Sequence, residues 1–215
     1  HGKTMGALAV SGRELYAHLC GPKPPSFAQV PFGNIEALAE FLERHAGEVA
    51  ALFLEPIQGE RGVFLPPPGD LSAVRELCYR HEVALVLDEI QTGLGRTGRL
   101  FYCEYEGVTP DLLLLAKAIG GGLFPLGVCL VANQFWDPRF ALVHSSTFAN
   151  NNVACRVGLA VLSTLVREDL CAQVTLNGTR LLQGLHRLAT RYPKTIAEVR
   201  GCGLLCAIQL HPVSA

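Results

Sequence analysis

Three short runs of unbroken apolar residues constrain this chain more than anything else in it, because each stops at a charge. Residues 49–54 (Val-Ala-Ala-Leu-Phe-Leu) stop at Glu55, residues 84–87 (Ala-Leu-Val-Leu) stop at Asp88, and residues 112–115 (four leucines) lead through Ala116 to Lys117. A continuous apolar run of this length, rather than an alternating one, is the pattern of a strand covered on both faces. Residues 127–132 make a fourth. Helical patterns lie between and after them. Residues 36–46 place apolar side chains at 38, 41 and 42 behind Asn34, which is placed to cap. Asp70, after the rigid stretch 66–69, caps a helix with Leu71, Val74, Leu77 and His81 on one face. Further helices are expected over 153–166 and over 170–189, the latter with its face at 174, 181, 185 and 188, and a glycine turn then feeds a strand within 198–210. Such alternation predicts an α/β fold with a parallel or mostly parallel sheet covered by helices. Ligands of these sheets gather outside the carboxyl ends of the strands. Asp88 lies at one such end and Lys117 just past another.

Composition narrows the function. Of the 215 residues 49% are hydrophobic and 17% charged, enough for a sizeable core, and a net charge of −1 gives no support to nucleic-acid or membrane-surface binding. The eight cysteines are scattered without a CxxC pair, which favours reduced core thiols over metal ligation or a disulfide framework. With no secretory leader and no apolar run of membrane-spanning length, a soluble, cytoplasmic location is expected. The chain opens at His1 without an initiator methionine and stops at Ala215 just past an apparent strand, so it reads as an excerpt from a longer protein.

Lys117 and Asp88 are the pair an enzyme uses to hold a pyridine-aldehyde cofactor: the lysine condenses with the aldehyde, and the carboxylate keeps the ring nitrogen protonated. A lone lysine is usually solvated, but four leucines before it and small residues after it are expected to confine its stem and favour the nucleophilic neutral amine. A carboxylate at a strand end can equally be a helix cap or a magnesium ligand. Here Gln91 and Thr92 add neutral hydrogen-bonding groups, and glycines at 93, 95 and 98 permit tight bends. Residues 55–60 (Glu-Pro-Ile-Gln-Gly-Glu) place two more carboxylates, Glu55 and Glu60, at a strand end. Ser145, Ser146, Thr147 and Asn150 to Asn152 form a polar cluster before a helix, suited to a phosphate or to helix capping.

In order along the chain, residues 1–8, 55–60, 87–98, 109–122 and 144–148 resemble the class III (ω-amino acid) aminotransferases, pyridoxal-phosphate enzymes of fold type I. The likeness runs from His1 to about Leu210 and is strongest to the ornithine, acetylornithine and putrescine branch. The resemblance implies a large cofactor-binding domain over 1–167 and the start of a small C-terminal α/β domain over 168–215. It makes Lys117 the Schiff-base lysine and the general base. Asp88 becomes the partner of the pyridinium nitrogen, Ile90 a ring-packing residue, and Gln91 the partner of the phenolic oxygen. Thr147, with Ser146 beside it, would bind phosphate across a homodimer interface from the neighbouring subunit. Glu60 would stand near the substrate, where the family uses it to mask a carboxylate-binding arginine. The reaction implied is ping-pong transfer from an amine donor to a 2-oxo acid such as 2-oxoglutarate, with no metal.

The chain departs from that pattern in places. Arg61 stands where the family usually has glycine, which is expected to crowd the Glu60 loop. Ala149, Asn150 and Asn152 replace the usual small residues and proline around Asn151. The family's upstream phosphate loop and stacking aromatic fall before His1 and its carboxylate-binding arginine falls downstream, so the excerpt alone is expected to be inactive. Two alternatives compete: a degenerate homologue that keeps fold and dimer surface without catalysis, and a nucleotide hydrolase built on Gly2-Lys-Thr4 and the strand end at Asp88-Glu89.

Overall fold

A computed structural model describes residues 1–12, 26–143 and 146–212. Its main sheet has four strands in the order β1 (Ala51–Leu54), β2 (Ala84–Asp88), β3 (Leu112–Leu115) and β4 (Val128–Val131). β1 and β2 pair in parallel with Leu54 opposite Leu87, β2 and β3 pair in parallel with Asp88 opposite Leu114, and β4 returns antiparallel on β3. The mostly parallel sheet is therefore as expected, but its covering is uneven. Every residue of β2 is buried, whereas Phe53 of β1 and two residues of β4 are exposed. An apolar run marks a strand; it does not say how much of each face this one chain covers.

Helices α1 (Met5–Ser11), α2 (Ile35–Arg44) and α3 (Asp70–Arg80) precede or separate these strands. Asn34 caps α2 as expected, accepting from the Ala37 N–H at 2.9 Å. Leu38 and Leu42 of α2 and Leu71, Val74, Leu77 and Cys78 of α3 pack with Leu85 and Leu87 of β2; each fully buried leucine is worth about 1.5–3 kcal/mol. Burial pushes the Cys78 thiol up to about 11. His81 closes α3.

The start of α3 differs from expectation. Asp70 is its first residue and not its cap; the preceding Gly69 is left-handed and offers no side chain. The carboxylate of Glu106 caps the helix instead, accepting from the Gly69 N–H at 3.2 Å and the Ser72 N–H at 2.8 Å. Asp70 is buried, and burial together with the neighbouring Glu106 raises its carboxyl above the ordinary range. Asp111, also buried, ties the layers together through the Leu85 N–H (2.8 Å), Arg75 (2.8 Å) and Gln134 (3.1 Å).

Beyond a short helix α4 (Phe140–Val143) come α5 (Asn152–Arg167) and α6 (Leu170–Arg191). The inward face of α6 is Cys171, Val174, Gly178, Leu182, Leu185 and Ala189, so Leu181 and Leu188 are turned outward, contrary to the expected face. Its centre is Gly178, where a Cβ would lie 2.3 Å from the Gly203 carbonyl oxygen. That close approach lets α6 lie against a second sheet, the antiparallel hairpin β5 (Ile196–Cys202) and β6 (Leu205–Leu210). Two strands stand where one was expected. The hairpin docks on the main body through the Leu204 N–H to the Arg96 carbonyl (3.0 Å). Among the described residues no helix is long and apolar enough to cross a membrane, and all the described cysteines are free thiols.

Candidate active site

Parallel pairing of β1, β2 and β3 brings their carboxyl ends to one edge of the sheet, and with them Glu55, Asp88 and the turn that starts at Lys117. Asp88 is 5% exposed. Its Oδ1 accepts from the Ile90 N–H at 3.1 Å, and its Oδ2 lies against the amino nitrogen of His1. The carboxylate is thus held on its Oδ1 side by the backbone, with Oδ2 turned toward the His1 end of the cluster. Gln91 is half-buried and its carboxamide reaches over Gly59, where a Cβ would sit 1.9 Å from the Gln91 Oε1 and push the carboxamide aside.

Lys117 is exposed, which corrects the expectation that the leucine run confines its stem. What is unusual about it is the backbone. It begins a 3-10 turn (Lys117–Gly120) at φ 49°, a left-handed conformation that costs an ordinary residue about 1–2 kcal/mol. Strain of this kind clusters at functional positions.

In the sequence His1 is no more than the first residue of a motif, yet its ring stands at the centre of the cluster. Nδ1 is 3.5 Å from Glu55 Oε1 and Nε2 is 3.3 Å from Glu60 Oε1, with the Gln91 amide 3.5 Å away. No spacing rule could have found it, since its partners lie tens of residues off. Arg61 does not crowd Glu60; it points along the loop to Gln58 Oε1 at 3.2 Å.

Glu89 is the residue whose role the sequence hid. It is 1% exposed and turned away from Asp88 into the protein, accepting from the Thr92 hydroxyl (2.8 Å) and the N–H groups of Tyr102 (2.7 Å) and Cys103 (2.9 Å). Burial nevertheless raises its carboxyl above the ordinary range against those hydrogen bonds, and burial with Glu89 alongside pushes the Cys103 thiol up to about 12. The Glu89-to-Thr92 spacing was the one available hint. With Glu89 consumed this way and Thr4 capping α1 through the Ala7 N–H, the two motifs of the nucleotide-hydrolase alternative have structural employment.

The residues expected on the phosphate side stand apart. Ser146 and Thr147 are exposed in a turn before α5, and among the described residues no hydrogen bond ties them to Asp88, Gln91 or Lys117. Asn151 caps α5, taking the N–H groups of Val153 and Ala154 at 3.0 Å each, so capping accounts for that part of the polar cluster. His144 and Ser145 lie outside the described residues.

The family model of the class-III aminotransferases matches residues 1–215. The chain belongs to that family. Among solved structures it is similar to the ornithine aminotransferase of Toxoplasma gondii, at 38% identity and a TM-score of 0.92, covering 98% of this chain and 49% of that one. It is similar to the acetylornithine aminotransferase of Elizabethkingia anophelis (37%, TM-score 0.81, 89% and 49%) and to an (S)-enantioselective ω-transaminase of Thermomicrobium roseum (35%, 0.89, 98% and 51%). The chain spans about half the length of each. The α/β architecture is that of fold type I, and the family is pyridoxal-phosphate-dependent; the Toxoplasma structure holds that cofactor at partial occupancy. The donor set here suits its ring: a buried carboxylate oriented by the Ile90 N–H, a carboxamide three residues on, and an amine on the neighbouring strand end.

Proposed function

We propose that the protein is a pyridoxal-phosphate-dependent aminotransferase that moves an amino group from an ω-amino acid or diamine to a 2-oxo acid such as 2-oxoglutarate, in two half-reactions. One observation carries the reading: adjacent parallel strands deliver a hydrogen-bonded, buried Asp88 and a backbone-strained Lys117 to the same sheet edge. The bound cofactor supplies an electron sink for the substrate carbon that loses its proton. Asp88 holds the pyridine nitrogen protonated and orients it. Gln91 donates to the ring's phenolic oxygen, and Ile90 packs against the ring. Lys117 would hold the cofactor's aldehyde end through its Nζ, and its amine, once released, would carry the proton at the substrate carbon. Glu60 stands on the substrate side.

Ser146 and Thr147 are assigned to the phosphate of a neighbouring subunit's cofactor, which accords with their exposure away from Asp88. The same reading assigns a second copy of the chain to exposed apolar side chains among Leu123, Trp136, Leu142, Val143, Phe148 and Val166, all more than half exposed. Residues 168–215 are taken as the opening of the small domain.

The test is reconstitution of the whole protein with pyridoxal phosphate. A visible absorbance band is expected that Lys117→Ala abolishes, and Asp88→Asn should lower turnover at least ~10²-fold. A folded protein that develops no band would be the non-catalytic homologue.

A further inference from the structure

Glu60 rides on a small loop whose grip comes from the far end of the chain. The loop is closed by the Gln58 N–H to the Phe64 carbonyl (3.0 Å) and the reciprocal bond (3.2 Å), and inside it the N–H groups of Gly62 and Val63 both reach the Gly59 carbonyl at 3.1 Å. Val63 is buried and anchors the loop below, while Glu60 and Arg61 are exposed at its tip. These contacts fix the loop's shape; its position over the sheet edge needs a further hold besides the buried Val63 and the His1 ring 3.3 Å from Glu60 Oε1.

Arg200 of β5 supplies that. Its Nε and Nη2 both donate to the Gly62 carbonyl oxygen, at 3.1 and 2.9 Å, and its guanidinium lies 4.2 Å from the centre of the Phe64 ring. Nη1 is held from behind by Gln209 Oε1 at 2.8 Å and by Glu198. The side chain is 11% exposed, so its planar fork is committed on every edge. A lysine could make one such bond and no stacked contact. The partner is a carbonyl and not a carboxylate, so the pair is no simple ion bridge: a charge-assisted double hydrogen bond fixes a backbone position two residues from Glu60.

We infer that Arg200 is a positioning residue for Glu60, and through it sets how the enzyme binds its amine donor. The inference rests on the aminotransferase reading for Glu60's place beside the substrate. In the role the resemblance gives it, Glu60 masks a carboxylate-binding arginine while the donor binds, and its location depends on the Arg200–Gly62 contact. Losing that contact spreads Glu60 over several positions and weakens donor binding without touching Lys117 or Asp88.

The experiment uses the whole protein with L-ornithine and 2-oxoglutarate. Arg200→Lys is expected to raise the KM for L-ornithine about 10-fold while kcat changes less than ~2-fold. In a Glu60→Gln background the same change should have almost no further effect on KM, because both act through one carboxylate. An equal KM penalty in both backgrounds, or a fall in kcat with KM unchanged, overturns the assignment. Phe64→Leu, which removes only the stacking platform, gives a milder form of the same KM pattern should Arg200→Lys fail to fold. Hydrogen exchange at the Gly62 and Val63 amides reads the loop without cofactor or substrate, and Arg200→Lys should speed it by about 10-fold or more. Missing absorbance in the wild-type protein would sink the aminotransferase reading alone; unchanged exchange at those amides would sink this one.

Discussion

Asp88 and Glu89 are neighbours with the same headgroup chemistry, and the pleat of the strand sends them to opposite employment. Glu89 closes the protein beneath the site by satisfying Thr92, Tyr102 and Cys103. Glu89→Ala would orphan those buried donors at a cost of about 3 kcal/mol. Because the folded carboxyl sits above its ordinary 4.5, the stability Glu89 contributes is fully present below that pH and declines as pH rises through the raised value. Urea melts at about pH 5 and about pH 8 should therefore show the Glu89→Ala deficit shrinking toward alkaline pH, and a deficit that grows would contradict the burial argument. At this scale the sequence was half legible. Charges at the ends of apolar runs announced Asp88 and Lys117, since position along a strand is written locally. The direction in which Glu89 faces and the strain at Lys117 depend on partners from residues 92–103 and on the turn at 117–120, which no local pattern encodes.

Among the elements, β2, β3 and helices α2, α5 and α6 form where the apolar spacing places them, because each has apolar residues to bury. Their ends and rotations follow other rules. The N-terminus of α3 is served by Glu106 from 34 and 37 residues away, which leaves Asp70 buried beside it rather than capping. The rotation of α6 is set by Gly178 meeting Gly203, a contact between two residues without side chains that a hydrophobic pattern cannot register. Gly178→Ala should cost at least about 1–3 kcal/mol of overpacking, and thermal melts with Gly184→Ala, whose added Cβ meets only the Arg187 side chain at 3.8 Å, provide the contrast. If both variants melted alike, the helix would not be seated on the hairpin as described.

For the molecule as a whole, the exposed apolar side chains near α4 and α5 are the proposed contact with a second copy. Leu142 is 86% exposed and Val143 85%. If a second copy covers them, Leu142→Glu buries an unpaired charge at that contact and should weaken dimerisation about 10²-fold or more, visible in sedimentation velocity. A wild-type protein that sediments as a monomer would rule that contact out. One further consequence follows from the Arg200–Gly62 clasp, whose partners are 138 residues apart in sequence. Loop closure over such a span is slow relative to helix and local strand formation. A chain synthesised from its amino end makes β1 to β4 long before Arg200 emerges from the ribosome. The nascent sheet therefore waits with the Glu60 loop unclasped, and the active-site mouth acquires its final shape only when translation has passed β5.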